Sequence, residues 1–183
     1  MRELSLHILD IVQNSITAGS TLISIEIVED AREDLLTILV SDNGKGMTPE
    51  LLENVWDPFV TTRNTRKVGL GIPLLKGAAE ACGGRLDIKS APGKGTTVKA
   101  EFVYSHIDRA PLGDIVGTIL TLVVCNPEID YVYTHTVNDK NFIFDTREIK
   151  KAISGLELNH PEVILWMKEY LSENIKNMYG SVL

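Results

Sequence analysis

The sequence predicts an α/β protein, a two-layer α/β sandwich followed by a smaller C-terminal α+β extension. Two observations lead to this prediction. Over the first 105 residues the patterns follow the order helix, strand, strand, helix, loop, helix, strand, strand, so helices and antiparallel strands are grouped instead of strictly alternating. From about residue 106 the pattern changes to an apolar helix, a hairpin and two more helices. The predicted domains are therefore residues 1–105 and residues 106–183.

The first three elements are a helix and two strands. Residues 4–17 place apolar side chains at spacings of three and four, which is typical of an amphipathic helix, and Gly19 is a natural stop. Residues 21–30 alternate β-branched with polar side chains, which predicts a half-buried strand. Residues 31–42 predict a second strand, joined to the first by the polar loop EDARED.

The next elements surround a polar loop. Residues 48–56 predict a short helix with Thr48 as its N-cap and proline at its first position. The loop of residues 56–71 is polar and basic, and residues 70–84 predict a helix that ends at a pair of glycines. Residues 85–104 predict two strands around the turn Pro-Gly-Lys-Gly.

The extension reads as a small α+β unit or a layer packed on the first domain. Residues 111–128 predict an apolar helix, and residues 129–146 predict a hairpin around Asn138. Residues 146–155 and 161–180 predict two more helices, the second with a wide apolar stripe that is more typical of a core than of a partner groove. Its role is open between dimerisation and partner docking.

Composition limits the function classes. The chain of 183 residues is 44% hydrophobic, enough for one good core. Its net charge is −7, from 18 basic and 25 acidic side chains, and both predicted domains are acidic, which disfavours a nucleic-acid-binding surface. No apolar run approaches the roughly 20 residues that span a bilayer, and no secretory signal is evident. We therefore expect a cytoplasmic protein that is not bound to a membrane, with Cys82 and Cys125 as free thiols.

Four short pieces stand out as candidate chemistry. Each has an ordinary alternative when taken alone: a polar helix stripe, turn chemistry, a solvated charged loop or a hairpin. Together they form an ordered set on suitable elements. The pieces are Asp10 and Asn14 on one helix face, Asp42-x-Gly44-x-Gly46, the segment WDPFVTTR leading through a basic loop to Gly69-Leu70-Gly71, and Gly93-x-Gly95-Thr96.

This ordered set, over about residues 4–104, resembles the GHKL ATPase superfamily, which includes gyrase-type topoisomerases, heat-shock chaperones, DNA mismatch-repair ATPases and histidine kinases. The resemblance implies a Bergerat-type fold, in which a mixed, mainly antiparallel sheet carries helices on one face. It also implies ATP and Mg²⁺ as ligands. Asn14 would place its amide oxygen on Mg²⁺, a hard cation that prefers oxygen. Asp10 would stand where the family carries its general-base Glu, with a side chain one methylene shorter.

The resemblance assigns the base pocket to the second and fourth pieces. Asp42 would accept a hydrogen bond from the adenine amino group, which a guanine carbonyl cannot supply. Gly44 and Gly46 would let the backbone pass close to the nucleotide. Met47 would line the pocket, and Thr96 would support adenine through its hydroxyl or a water.

The third piece resembles the F box and ATP lid of histidine kinases. Phe59 would pack under the lid, and the lid's cations would face the triphosphate. The glycine box would turn backbone N–H groups at a helix start toward the phosphates. Where histidine kinases often carry Gly-x-Gly-Thr, this sequence has Arg66-Lys67-Val68, so the lid is altered. The nucleotide-binding residues assigned here are Phe59, Thr62, Arg63, Arg66, Lys67, Gly69, Leu70 and Gly71.

Within the superfamily, the longer match is to histidine kinases and their anti-sigma relatives, although QNSITAGS is similar to mismatch-repair ATPases. No histidine lies in a His-Glu-x-x-x-Pro context, so self-phosphorylation is not expected. Three hypotheses follow: phosphate transfer from ATP to a partner protein in trans, a non-catalytic nucleotide-dependent switch, and, less favoured, a mismatch-repair-like ATPase. A protein partner is expected, and a homodimer is an open alternative.

Overall fold

A computed structural model describes residues 2–57 and 70–180. Their elements follow the predicted order, with boundaries that differ from the prediction mainly where a cap or a positive φ ends an element. The helices are α1 (Leu4–Thr17), α2 (Pro49–Glu53), α3 (Gly71–Ala81), α4 (Ile115–Cys125), α5 (Thr146–Ala152) and α6 (Pro161–Tyr179). The strands are β1 (Leu22–Asp30), β2 (Leu35–Asp42), β3 (Arg85–Ser90), β4 (Thr96–Val103), β5 (Asp130–Val137) and β6 (Lys140–Asp145).

The boundary differences have local causes. The helix predicted from residue 111 begins only at Ile115, because Gly113 has a φ of 77° and the carboxylate of Asp114 caps the helix by accepting from the N–H of Gly117 at 2.8 Å. The second strand begins late because Asp34, with a φ of 52°, belongs to the hairpin turn. The predicted cap at Thr48 is present, since its hydroxyl accepts from the N–H of Leu51.

The six strands form one mixed sheet in the order β3-β4-β2-β1-β5-β6. Four of its five strand pairs are antiparallel, and β1 with β5 is parallel. The predicted class, an α/β sandwich on a mixed and mainly antiparallel sheet, is confirmed. β5 and β6 extend the sheet that the first 105 residues begin, and the proposed division of roles between residues 1–105 and 106–183 stays a prediction.

The core lies between one face of this sheet and the helices. In β1 the side chains of Ile23, Ile25 and Ile27 are buried, and they alternate with partly exposed ones such as Glu26. The same alternation runs through the strands on either side, so a single continuous face is covered. Helices α1, α3, α4 and α6 bury apolar stripes against it, with α1 over β2 and α3 over β3 and β4.

The start of α1 is held by the chain that precedes α4. No side chain caps α1, and its first-turn N–H groups at Leu4 and Ser5 donate instead to the carbonyls of Pro111 and Leu112, both at 2.9 Å. Orphan donors at a helix start need acceptors, and here the acceptors come from beyond residue 105. The helix that carries Asp10 is therefore anchored by the C-terminal part of the chain.

Helix α6 shows how the predicted apolar stripe divides. Val163, Met167 and Leu171 are buried, whereas Trp166 and Tyr170 are 47% and 37% exposed. The sequence predicts that this stripe belongs mainly to the core, but only one side of the stripe is buried. None of the helices in the described part of the chain has the length and apolar character that crossing a membrane requires.

A buried polar network ties α6 to β1 and β5. The carboxylate of Glu29 lies 2.8 Å from Nε2 of His135 and accepts a hydrogen bond from the hydroxyl of Tyr179, at the end of α6. The hydroxyl of Tyr133 lies 2.7 Å from the other ring nitrogen of His135. Burial opposes ionisation of Glu29, but these hydrogen bonds and the nearby imidazole outweigh it, so the pKa of Glu29 falls below its ordinary value of 4.5.

This network predicts an acid-sensitive contribution to stability. Because the pKa of Glu29 is lower in the folded than in the unfolded chain, its contribution is present above the ordinary pKa and is lost as pH falls through the folded-state value. We expect Glu29→Gln to lower the free energy of unfolding at neutral pH by about 2 kcal/mol and to flatten its decline in acid. Urea unfolding at a series of pH values measures both, with Glu26→Gln on the exposed side of β1 as control. An acid decline as steep as in the parent would contradict this account of Glu29.

Candidate functional site

The candidate site is built around the carboxylate of Asp42, at the last position of β2. Its Oδ2 accepts from the hydroxyl of Ser15 at 2.7 Å, and its Oδ1 accepts from the N–H of Gly44 at 2.8 Å. The side chain is only partly buried. A carboxylate offers about four lone-pair sites, so two donors fix its orientation and leave acceptor capacity for a ligand.

The loop after Asp42 is held by hydrogen bonds to the segment that joins α1 to β1. The side-chain oxygen of Asn43 accepts from the N–H groups of Thr21 and Leu22 at 2.9 and 3.0 Å. The N–H of Lys45 donates to the carbonyl of Ala18 at 3.0 Å. At Gly44 a Cβ would lie 2.9 Å from the Cβ of Ala18, so the close approach of the two segments requires glycine.

One further glycine in each of the second and fourth pieces, Gly46 and Gly95, also permits a close backbone contact. A Cβ on Gly46 would lie 2.0 Å from the carbonyl oxygen of Ala91, and a Cβ on Gly95 would lie 1.9 Å from that of Asp42. Both have positive φ, 67° and 76°. The predicted role of Gly46 is close approach to a nucleotide, and the close approach that the structure describes is to the β3–β4 turn.

A serine hydroxyl joins the two glycine loops. Oγ of Ser90 accepts from the N–H of Met47 at 2.9 Å and lies 2.9 Å from both the carbonyl of Gly95 and the hydroxyl of Thr96. Thr96 is the register partner of Asp42 across β2 and β4. The structure therefore brings Asp42, Met47 and Thr96 into one neighbourhood, and their assignment to a base pocket stays a prediction.

Asp10 and Asn14 lie one turn apart on α1, both half-buried. Helix α3 begins beside them, since a Cβ on Gly71 would lie 3.4 Å from the Cβ of Asp10. The first N–H groups of α3 have no intrahelical acceptor, and the helix dipole is positive at this end. This end of the site thus combines a carboxylate, an amide and a helix N-terminus.

Six predicted residues lie outside the described part of the chain: Phe59, Thr62, Arg63, Arg66, Lys67 and Gly69. The segments that flank them are described. On one side the ring of Trp56 lies under the ammonium group of Lys76 on α3, 4.6 Å from the ring centroid. On the other side Leu70 is 48% exposed and precedes α3 directly.

The oxygen ligands near Asn14 fit Mg²⁺ only if the ion binds together with a phosphorylated ligand. Within residues 2–57 and 70–180 no three histidine, cysteine or acidic side chains converge as a metal site. Asn14 offers one amide oxygen, and Mg²⁺ is commonly held by one or two protein oxygens, with waters and substrate phosphates completing its octahedron. The residues present therefore fit an ion that arrives with a phosphorylated ligand.

Sequence reasoning missed the three polar residues that support the site. Ser15 orients Asp42, Asn43 fastens its loop, and Ser90 links the two glycine loops. Ser15 directly follows Asn14 on α1, so its position next to a predicted site residue was the one signal in the sequence that pointed to it. Ser90 pairs with Thr96 across β3 and β4, and only the register of that hairpin reveals it.

Comparison with known proteins adds the following. Residues 2–105 match the family described as "Histidine kinase-, DNA gyrase B-, and HSP90-like ATPase". Sensor protein kinase FleS of Pseudomonas aeruginosa is 39% identical over 108 residues, which are 59% of this chain and 26% of that protein. Sensor histidine kinase ZraS of Klebsiella oxytoca is 37% identical over 68 residues, 37% of this chain and 14% of that protein. The chain thus spans only a small part of these relatives.

Two solved structures resemble almost the whole chain. One is the N terminal domain of a DNA repair protein, with a TM-score of 0.60 and 16% identity, covering 99% of this chain and 58% of that one. The other is the Aquifex aeolicus MutL ATPase domain complexed with ADP, with a TM-score of 0.50 and 14% identity, covering 98% of this chain and 69% of that one. At these identities the likeness shows the fold alone.

Proposed function

Because the chain belongs to the family of histidine kinase-, DNA gyrase B- and HSP90-like ATPases, we propose that it binds Mg-ATP at the Asp42 site and transfers phosphate to a partner protein in trans. The family is one of ATPases, its match covers residues 2–105, and the four candidate pieces lie within that range. The partner, the acceptor side chain and the transfer itself belong to the proposal.

The observation that supports adenine recognition best is the fixed carboxylate of Asp42. Its two oxygens already accept from Ser15 and Gly44, so a further ligand at this acid must be a hydrogen-bond donor. The exocyclic amino group of adenine is such a donor, whereas guanine presents a carbonyl at the same position. A ligand that covers this acceptor without donating to it leaves the carboxylate oxygen unpaired and binds more weakly.

The phosphate end is assigned to Asp10, Asn14 and the start of α3. Asn14 would hold Mg²⁺, which when bound neutralises and orients the phosphate oxygens. The N-terminal amides of α3 would donate to phosphate oxygens and add the favourable end of the helix dipole. Asp10 would orient the attacking hydroxyl of the partner and accept its proton. The hydroxyl oxygen would bond to the γ-phosphorus as the bond from that phosphorus to the β–γ bridging oxygen breaks and ADP leaves.

Two observations favour a second function, a nucleotide-dependent switch without turnover. Aspartate at position 10 reaches one methylene less far than glutamate, and α1 is anchored at its start by the carbonyls of Pro111 and Leu112. If the carboxylate of Asp10 cannot reach the acceptor hydroxyl, nucleotide would still bind but phosphate transfer would be slow. Nucleotide binding would then alter α1 and, through this anchor, the C-terminal part of the chain.

Two measurements test these proposals. Thermal unfolding with ATP, ADP and GTP should show stabilisation by the adenine nucleotides that requires Asp42, and equal stabilisation by GTP would contradict adenine recognition. Turnover with ³²P-labelled ATP, measured with candidate partners from a native pull-down, separates the two functions. Sustained label transfer supports the kinase, and tight binding with no turnover under any condition supports the switch.

Asn14→Ala tests the phosphate end separately. Because the amide would act through Mg²⁺, we expect the variant to weaken binding of Mg-ATP about tenfold and binding of ATP in EDTA much less. Isothermal titration with and without the metal measures the difference, and Gln13→Ala on the exposed side of α1 is the control. Equal losses with and without Mg²⁺ would contradict the assignment of Asn14 to the metal.

A further inference from the structure

The two edges of the sheet are unlike each other. At the β3 edge, exposed charges alternate along the strand at Arg85, Asp87 and Lys89, which discourages another strand from pairing there. At the β6 edge the centre of the strand is Phe142-Ile143-Phe144, without a charge, proline or bulge. Ile143 is 56% exposed, and in the described part of the chain no strand lies outside β6. Its outward backbone groups are therefore open to pairing.

Two aromatic rings on α6 stand beside this edge. Trp166 and Tyr170 are stacked, with ring centroids 5.1 Å apart and planes inclined by 10°. Tyr170 also contacts the ring of Phe142, centroid to centroid at 5.5 Å. The partly exposed Trp166–Tyr170 pair therefore lies on the helix-covered face of the sheet, next to the edge strand β6. A strand added to β6 would direct alternate side chains onto these rings.

Acidic side chains surround the pair. Glu162, Glu169 and Glu173 precede or follow Trp166 by three, four or seven residues, so they share its side of the helix. All three are exposed, and none forms an ion pair within the described residues. Arginine and lysine are attracted both to such rings and to the carboxylates beside them.

We infer that the outer edge of β6 and the Trp166–Tyr170 face of α6 form a docking surface for an extended, basic segment of a partner protein. The segment adds as a seventh strand, and its basic side chains stack on the rings between the glutamates. A second copy fits less well, because two-fold pairing of β6 brings both sets of glutamates together in an acidic chain. This inference does not depend on nucleotide binding.

The test uses the full chain and a fluorescent peptide of about ten residues in which arginine alternates with valine, the length of one strand. A peptide with glutamate in place of arginine is its charge-reversed control. Fluorescence anisotropy gives the affinity, and amide chemical shifts give the location. We expect the basic peptide alone to bind, with shifts confined to β6 and α6. Trp166→Ala should weaken binding about tenfold.

Matched variants separate the surface from general effects. Leu165→Ala removes an exposed side chain, 59% accessible, from another side of the same helix and should leave the affinity unchanged. Glu169→Gln with Glu173→Gln should weaken binding and reduce its salt dependence, whereas Glu33→Gln in the β1–β2 turn should not. Circular dichroism checks that each variant is folded.

Three outcomes would overturn the inference. The first is no binding of the basic peptide, and the second is binding that Trp166→Ala leaves unchanged. The third is dimerisation of the chain in sedimentation that Trp166→Ala abolishes, which would make a second copy the occupant. Loss of ATP binding by Asp42 variants leaves this test intact, so the failure of one proposal is distinguishable from that of the other.

Discussion

Replacing Asp42 by asparagine is expected to weaken ADP binding about 100-fold, or about 2.8 kcal/mol, while leaving the protein folded. The reason lies in the two donors that already face this side chain. The N–H of Gly44 is fixed by the backbone and requires the amide oxygen on its side. The amide NH₂ then takes the place of Oδ2, so it faces the Ser15 hydroxyl and the base. The hydroxyl can rotate to accept, but the amino group of adenine cannot.

Isothermal titration with ADP and GDP measures this effect, because the new donor should also reduce the preference for adenine over guanine. Asp139→Asn, at the exposed β5–β6 turn, is a control with the same change of charge. A thermal unfolding curve without nucleotide verifies the fold of each variant. Unchanged ADP affinity in Asp42→Asn would show that this carboxylate does not read the base.

Replacing Gly95 by alanine is expected to lower the free energy of unfolding by about 3 kcal/mol or more. Two costs add at this residue. A side chain at a φ of 76° costs roughly 1–2 kcal/mol, and the new Cβ would lie 1.9 Å from the carbonyl oxygen of Asp42, which forces β2 and the β3–β4 turn apart. Since Asp42 itself moves, nucleotide affinity should fall in the same variant.

Two other glycines separate the cost of the positive φ from the cost of the steric contact. Gly93 has a φ of 71°, and a Cβ there would meet no atom of a non-adjacent residue within 4 Å, so Gly93→Ala should lose only about 1 kcal/mol. Gly77, in α3, has neither a positive φ nor such a neighbour, and Gly77→Ala should be neutral or stabilising by up to about 1 kcal/mol. Urea unfolding of the three variants gives the series, and equal losses at Gly93 and Gly95 would show that the steric contact is relieved without cost.

The fold could be predicted from the sequence because its signals are local. Alternation in residues 21–30, the cap at Thr48 and the glycines after α3 each depend on a few neighbouring residues, and each prediction is confirmed. The parallel pairing of β1 with β5 could not be predicted, because more than 90 residues separate Ile25 from its partner Tyr133 and nothing in either strand specifies the other. The mixed orientation came from the family resemblance, which is confirmed.

In the site, too, local motifs could be predicted and contacts between distant segments could not. Asp42, Gly44 and Asn14 could be predicted as candidate site residues because their types and spacing form motifs. The pairing of Ser15 with Asp42 and the bridging by Ser90 depend on how α1 and the β3–β4 turn meet, so spacing along the chain does not reveal them. The exposure of Trp166 could not be predicted for a related reason, since a helix pattern gives the width of an apolar stripe but not how much of it the sheet covers.

The parallel pairing of β1 with β5 has a consequence for experiments on shortened forms of this protein. A fragment that ends at residue 105, where the family match ends, would lack β5, so β1 would become an unpaired edge strand. It would also lack the two carbonyls that accept from the first N–H groups of α1. Such a fragment is expected to aggregate or melt early, and nucleotide affinities measured on it would describe a damaged pocket.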